Sequence, residues 1–136
     1  MDRPIIAITM GDAAGVGPEI VVKALARQDV AVQCRALVVG DAKRLENAAA
    51  VCGVSMAVRR VSGPADARFE AGAIDCVDLA LIPDDLPFGV LSPTAGDAAY
   101  RYIARAVELA VAGVVDAICT APLNKDAPHA GGHIFP

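Results

Sequence analysis

An α/β fold with a mainly parallel sheet covered on both faces is what this sequence predicts, and three observations predict it. Short apolar runs alternate with stretches of helical periodicity along the whole chain. Each of the first two runs passes through a glycine or acidic turn straight into a helix-like segment. The length of 136 residues suits one compact domain and is too short for two full ones.

The elements follow in order. "PIIAIT" (4–9) is a short apolar strand that runs into the glycine turn "MGDAAGVGPE". Pro18 and Glu19 then open a helix through Ile20, Val21, Ala24 and Leu25, because proline tolerates the first turn and an acid complements the positive helix end. "CRALVVG" (34–40) repeats the strand, and Asp41 is placed as N-cap of a helix through Leu45, Ala48, Ala49 and Cys52 that stops at Gly53. "VSMAVRRV" (54–61) and "CVDLALI" (76–82) alternate as strands across a turn-rich connection. The three prolines of 83–93 mark an irregular loop. A longer helix spans about 94–112, with Tyr100, Ile103, Ala104, Val107 and Val111 on its apolar stripe and Arg101, Arg105 and Glu108 on its polar face. "VDAICTAPLNK" (115–125) returns as a strand ending in a polar turn.

Composition narrows the partners. Twelve basic against sixteen acidic residues give a net charge of −4, with 4% aromatics and no basic cluster, which argues against nucleic acid. Mean hydropathy is high at +0.48, yet no run approaches the roughly 18 apolar residues of a membrane span. A small metabolite is the expected partner, and with no signal-peptide pattern the expected location is the cytoplasm. Cys34, Cys52, Cys76 and Cys119 form no CxxC pair and read as inert core thiols.

In a parallel sheet ligands bind beyond the carboxyl ends of the strands, where the loops 10–18 and 120–126 fall. Gly11, Gly15 and Gly17 make neither the dinucleotide fingerprint nor a P-loop. They either expose amides to an anion, with Asp12 and Glu19 orienting a hydroxyl or cation, or simply permit positive φ and close contact. Thr120, Asn124 and Lys125 offer a hydroxyl, an amide and an ammonium to a substrate, or form a solvated loop. His129 and His133 have a helical metal spacing, but Pro128, Gly131 and Gly132 disfavour a helix there.

Together, "ITMGDAAGVGPEIVVKAL", "LVVGDAKRLENAA", "GDAAYRYIARAVELAVAGVVDAICTAPLNKDA" and "AGGHIFP" resemble the 4-hydroxythreonine-4-phosphate dehydrogenase family over essentially the whole chain. Ala13, where the vitamin B6 enzymes commonly have proline, resembles the D-threonate or D-erythronate 4-phosphate branch. The resemblance implies an isocitrate/isopropylmalate dehydrogenase-like fold, with residues 1–136 the N-terminal portion of a larger two-domain subunit. It implies oxidation of the C3 hydroxyl of a phosphorylated hydroxy acid by NAD or NADP, followed by decarboxylation, in a homodimer. A divalent metal (Zn, Mg, Mn or Co) is implied too, with its ligands expected beyond Pro136. On that reading Gly11, Asp12, Gly15, Gly17 and Glu19 line the cleft near the cofactor, Thr120, Asn124 and Lys125 lie near the substrate, and no catalytic or metal residue falls within the chain. The competing expectation is a non-catalytic truncated product or assembly module.

Overall fold

The computed structural model describes residues 3–122. Its elements are β1 (Ile5–Thr9), α1 (Gly17–Leu25), α2 (Gln28–Ala31), β2 (Arg35–Gly40), α3 (Ala42–Cys52), β3 (Ala57–Val61), a 3-10 turn (Pro64–Asp66), β4 (Ala73–Asp78), α4 (Pro93–Val111) and β5 (Ala117–Thr120). Every strand pairing is parallel, and the order across the sheet is β3-β4-β2-β1-β5. The predicted α/β class holds.

The chain steps from β1 outward to β2 and β3, and α1 packs on α3 over these steps. From β4 it returns across the sheet through α4 to β5 on the far side of β1. Right-handed crossovers therefore put α4 on the opposite face from α1 and α3, and a topological switch point falls between β2 and β4, whose connections leave to opposite faces. Ala7, Leu37, Val38, Val39, Ile74 and Cys76 fill the sheet's interior, completely or almost completely shielded from solvent. Among the described residues no helix is long and apolar enough to cross a membrane.

Two strands are shorter or shifted relative to the pattern, each for a local reason. Val54 does not join β3: Gly53 takes a left-handed φ of 67°, and the Val54 amide donates back to the Ala49 carbonyl at 2.9 Å, wrapping the end of α3. The apolar run 79–82 does not extend β4, because Ala80 turns at φ 51° and the Leu81 and Ile82 amides bond the Asp41 carboxylate. That run packs as a loop against the core. Helix α2 has no counterpart in the sequence reading.

Helix α4 buries a different stripe from the one its large residues mark. Tyr100, Val107 and Val111 are exposed, whereas Ala95, Gly96, Ala98, Ala99, Tyr102, Ala106 and Leu109 face inward. Small residues let the helix lie close to the sheet, and Tyr102 is the largest group admitted, its hydroxyl finding a partner. Only Cys76 is a buried thiol; Cys34 and Cys52 are half-buried, and Cys119 is exposed on the edge strand β5, so the expectation of four core cysteines is corrected.

Candidate functional site

At the carboxyl ends of β1 and β5 the two loops singled out in the sequence meet backbone to backbone. The Asp12 amide donates to the Pro122 carbonyl at 3.2 Å, and the Ala121 amide to the Thr9 carbonyl at 3.1 Å. A Cβ on Gly11, whose φ is +76°, would stand 2.4 Å from the Pro122 oxygen, and one on Gly17 would stand 2.3 Å from the Met10 oxygen. These two glycines are required by contact between main chains. Gly15 differs: a Cβ there would meet only the Asp12 side chain, at 3.5 Å or more.

Asp12 is buried, and its Oδ1 accepts from the Ala14 amide at 2.9 Å while its carbonyl accepts from the Gly15 amide at 3.0 Å. The amides of Asp12, Ala14 and Gly15 are thus used inside the protein. In the first turn of α1, Pro18 carries no N–H and the Ile20 amide donates to the Val16 carbonyl at 3.0 Å, which leaves the Gly17 and Glu19 amides without a side-chain cap from Val16. Glu19 is half-buried in that turn and adds its charge to the positive helix end. Thr120 is exposed beside Thr9, whose buried hydroxyl has no partner among the described residues. Asn124, Lys125, Pro128, His129 and His133 lie outside the described residues.

A third wall went unrecognised in the sequence. Asp12, Ala14, Gly15 and Val16 face Gly89, Val90 and Leu91 across a cavity of about 370 Å³ closed on one side by Pro122. A larger crevice of about 800 Å³ opens at the amino end of the sheet, among Arg3, Arg27, Arg35 and Phe69. Size favours the second, but ligands of open parallel sheets sit at the carboxyl end, where the glycine turn after β1 meets the loop after β4. The smaller cavity is the candidate site. Its volume lies at the low end of the range for small-molecule pockets.

The loop that carries the third wall is anchored by Asp41. That residue holds the N-cap position of α3 as expected, yet its side chain does not cap; Asp78 Oδ1 accepts from the Ala42 amide at 3.1 Å instead. The Asp41 carboxylate accepts from the Leu81 amide at 2.9 Å, the Ile82 amide at 2.5 Å and the Tyr102 hydroxyl at 3.0 Å. Burial is the main cause that raises the Tyr102 hydroxyl pKa, with the Asp41 charge second; burial likewise raises the Cys76 thiol. Both groups are neutral in the folded protein at ordinary pH.

A pH dependence follows with a definite sign. Below pH 9 the thiol and phenol keep their protons folded or unfolded; above 9.0 and 10.0, the ordinary values, the unfolded chain releases protons that the folded one retains. Stability is therefore full below pH 9 and falls as pH rises, by up to about 1.4 kcal/mol per pH unit for each group. Melting temperatures taken from neutral to alkaline pH are expected to decline beyond pH 9, and Tyr102→Phe is expected to flatten the decline above 10. A flat alkaline profile in the unaltered protein would contradict this.

Among the described residues no three His, Cys, Asp or Glu side chains come together, so those residues do not make a metal centre.

Comparison with known proteins gives a consistent picture. The model of the family described as pyridoxal phosphate biosynthetic protein PdxA matches residues 32–136. The chain is 59% identical over 133 residues to the D-threonate 4-phosphate dehydrogenase of Cupriavidus necator, covering 98% of this chain and 40% of that protein. It is 43% identical over 136 residues to the 4-hydroxythreonine-4-phosphate dehydrogenase of Trichlorobacter lovleyi, with the same coverage. The crystal structure of a 4-hydroxythreonine-4-phosphate dehydrogenase from Burkholderia phymatum superposes with a TM-score of 0.98 at 65% identity, covering 100% of this chain and 41% of that one. The chain thus spans about 40% of the length of the relatives it matches.

Proposed function

This chain belongs to the pyridoxal phosphate biosynthetic protein PdxA family, and from that premise we propose that it is part of an NAD-dependent dehydrogenase acting on a 4-phosphorylated four-carbon hydroxy acid. The observation that carries the reading is the cleft at the carboxyl end of the sheet, built in part from a glycine turn within the stretch shared with relatives named as dehydrogenases. Ala13 and the 59% identity to the D-threonate 4-phosphate dehydrogenase support D-threonate 4-phosphate as substrate, while the 65% identity to the 4-hydroxythreonine-4-phosphate dehydrogenase from Burkholderia phymatum keeps 4-hydroxythreonine 4-phosphate beside it.

When bound, the nicotinamide cofactor supplies the hydride acceptor for the C3 hydroxyl, and the resulting 3-keto acid loses carbon dioxide. The chain's own part is to bind and orient. The first turn of α1 and the charge of Glu19 face the polar edge of the cofactor, while Asp12 holds the turn's shape through the Ala14 amide. In this reading Thr120, Asn124 and Lys125 serve the substrate, the lysine as a point charge for phosphate or carboxylate. The working form in this reading is a cytoplasmic homodimer.

NAD reduction by the native-length protein, supplied with a divalent metal and in turn with D-threonate, D-erythronate and 4-hydroxythreonine 4-phosphate, tests the reading. Turnover is expected, fastest with D-threonate 4-phosphate; none with any of the three would reject it. Glu19→Gln is expected to raise the KM for NAD severalfold with kcat little changed, as for a contact worth about 0.3–1 kcal/mol at a helix end. A second reading, an assembly module, is favoured by the exposed Val107, Val111, Val114 and Ile118 around α4 and β5. Size-exclusion chromatography showing a discrete oligomer without turnover would favour it.

A further inference from the structure

Arg44 lies in the first turn of α3, a position where arginine is ordinarily solvated, yet it is only 3% exposed. Its Nε donates to the Ala13 carbonyl of the glycine turn at 2.8 Å. Its Nη1 donates to the Leu86 carbonyl at 3.0 Å, and the Phe88 ring lies 3.6 Å from the guanidinium carbon. Leu86 and Phe88 lead directly into Gly89, whose amide donates to the Ala14 carbonyl at 2.6 Å. Nη2 is buried and has no partner among the described residues.

One side chain therefore ties both faces of the cleft, and neither face has another cationic anchor among the described residues' hydrogen bonds. Burial lowers the Arg44 pKa, while the charges of Asp12 and Asp41 oppose that shift. A guanidinium keeps its charge through such burial and spreads it over a planar fork that reaches two carbonyls and a ring at once. An ammonium has no such fork. It also loses its proton more readily when buried.

We propose that Arg44 is a positioning residue that sets the spacing between the glycine turn and the Gly89–Leu91 wall, and so sets the affinity of the cleft for the nicotinamide cofactor. The proposal rests on the dehydrogenase reading above for the identity of the ligand, though not for the clamp itself.

The test uses the native-length protein with Arg44→Lys, Arg44→Met and Phe88→Leu. Amide hydrogen exchange at Gly89 reads the clamp, exchange at Val38 in the centre of β2 reads the whole fold, and the KM and kcat for NAD read the function. In both Arg44 variants the Gly89 amide is expected to exchange at least about tenfold faster relative to Val38, the range for losing charge-assisted hydrogen bonds. The KM for NAD is expected to rise about tenfold while kcat stays within about twofold, and lysine is not expected to rescue. Phe88→Leu removes only the stacked, half-exposed ring, and is expected to shift both readouts about threefold in the same direction.

Wild-type protection of Gly89 in both Arg44 variants would overturn the clamp. Faster Gly89 exchange with an unchanged KM would overturn the link to the cofactor, as would rescue of KM by lysine. Absence of NAD turnover in the unaltered protein would instead reject the dehydrogenase reading and the affinity claim with it, while Gly89 exchange would still decide the clamp.

Discussion

Gly11→Ala is expected to cost about 3 kcal/mol or more and to lower the melting temperature by about 10 °C or more. Two effects add. Alanine at φ +76° carries left-handed strain of about 1–2 kcal/mol, and its Cβ would stand 2.4 Å from the Pro122 oxygen and 3.0 Å from that of Ala121. Those oxygens belong to main chain held by the Asp12 to Pro122 and Ala121 to Thr9 hydrogen bonds, so neither can swing aside as a flexible side chain would. Relief requires the glycine turn and the β5 loop to part, which widens the cleft. Gly53→Ala is the control: it has φ +67° with nothing within 4 Å of the new Cβ, and should cost only about 1 kcal/mol. Thermal unfolding of the two variants measures the difference, and equal losses would mean that the close approach at Gly11 is not tight.

Asp41→Ala is expected to cost about 3–5 kcal/mol in urea unfolding, because it strands the Leu81 and Ile82 amides and the Tyr102 hydroxyl in a buried setting. Asp41→Asn should lose nearly as much, since its amide NH₂ turns one acceptor into a donor facing donors. Tyr102→Phe removes one donor and leaves the carboxylate bonded to two amides, so about 1 kcal/mol is expected. The loss also has a functional address. Without Asp41 the segment after β4 is released, and with it the wall formed by Gly89, Val90 and Leu91. A cost for Asp41→Ala no larger than that for Tyr102→Phe would contradict this account.

Much of the architecture was legible because periodicity and turn chemistry report local forces. The β1 run, the Pro18-Glu19 helix start, the Gly53 stop and the long helix before the last strand all follow from such rules, and all stand in the structure. Long-range pairing escaped them. Leu79–Ile82 looks like strand because it is apolar, and is a loop because Asp41, about forty residues earlier in sequence, captures its amides. The stripe of Tyr100, Val107 and Val111 looks like a core face, yet α4 turns its alanines inward so that it can lie close to the sheet.

The candidate site was legible in the same uneven way. The glycine turn and the β5 loop announced themselves by composition and by their place after strands. Gly89–Leu91 carried no signal beyond a proline-rich loop, and Arg44 looked like any charged residue in a first helical turn. An arginine followed closely by Leu45, Ala48 and Ala49 on the buried stripe is a hint of burial, but its carbonyl partners lie 31 and 42 positions away.

A titration of the isotope-labelled, native-length protein with NAD, followed residue by residue through its amide resonances, tests the central claim most directly. The account predicts shifts concentrated at Asp12–Val16 and Gly89–Leu91, the two walls of the carboxyl-end cleft. Shifts confined to the larger crevice around Arg3, Arg27 and Arg35, or none at all, would contradict it.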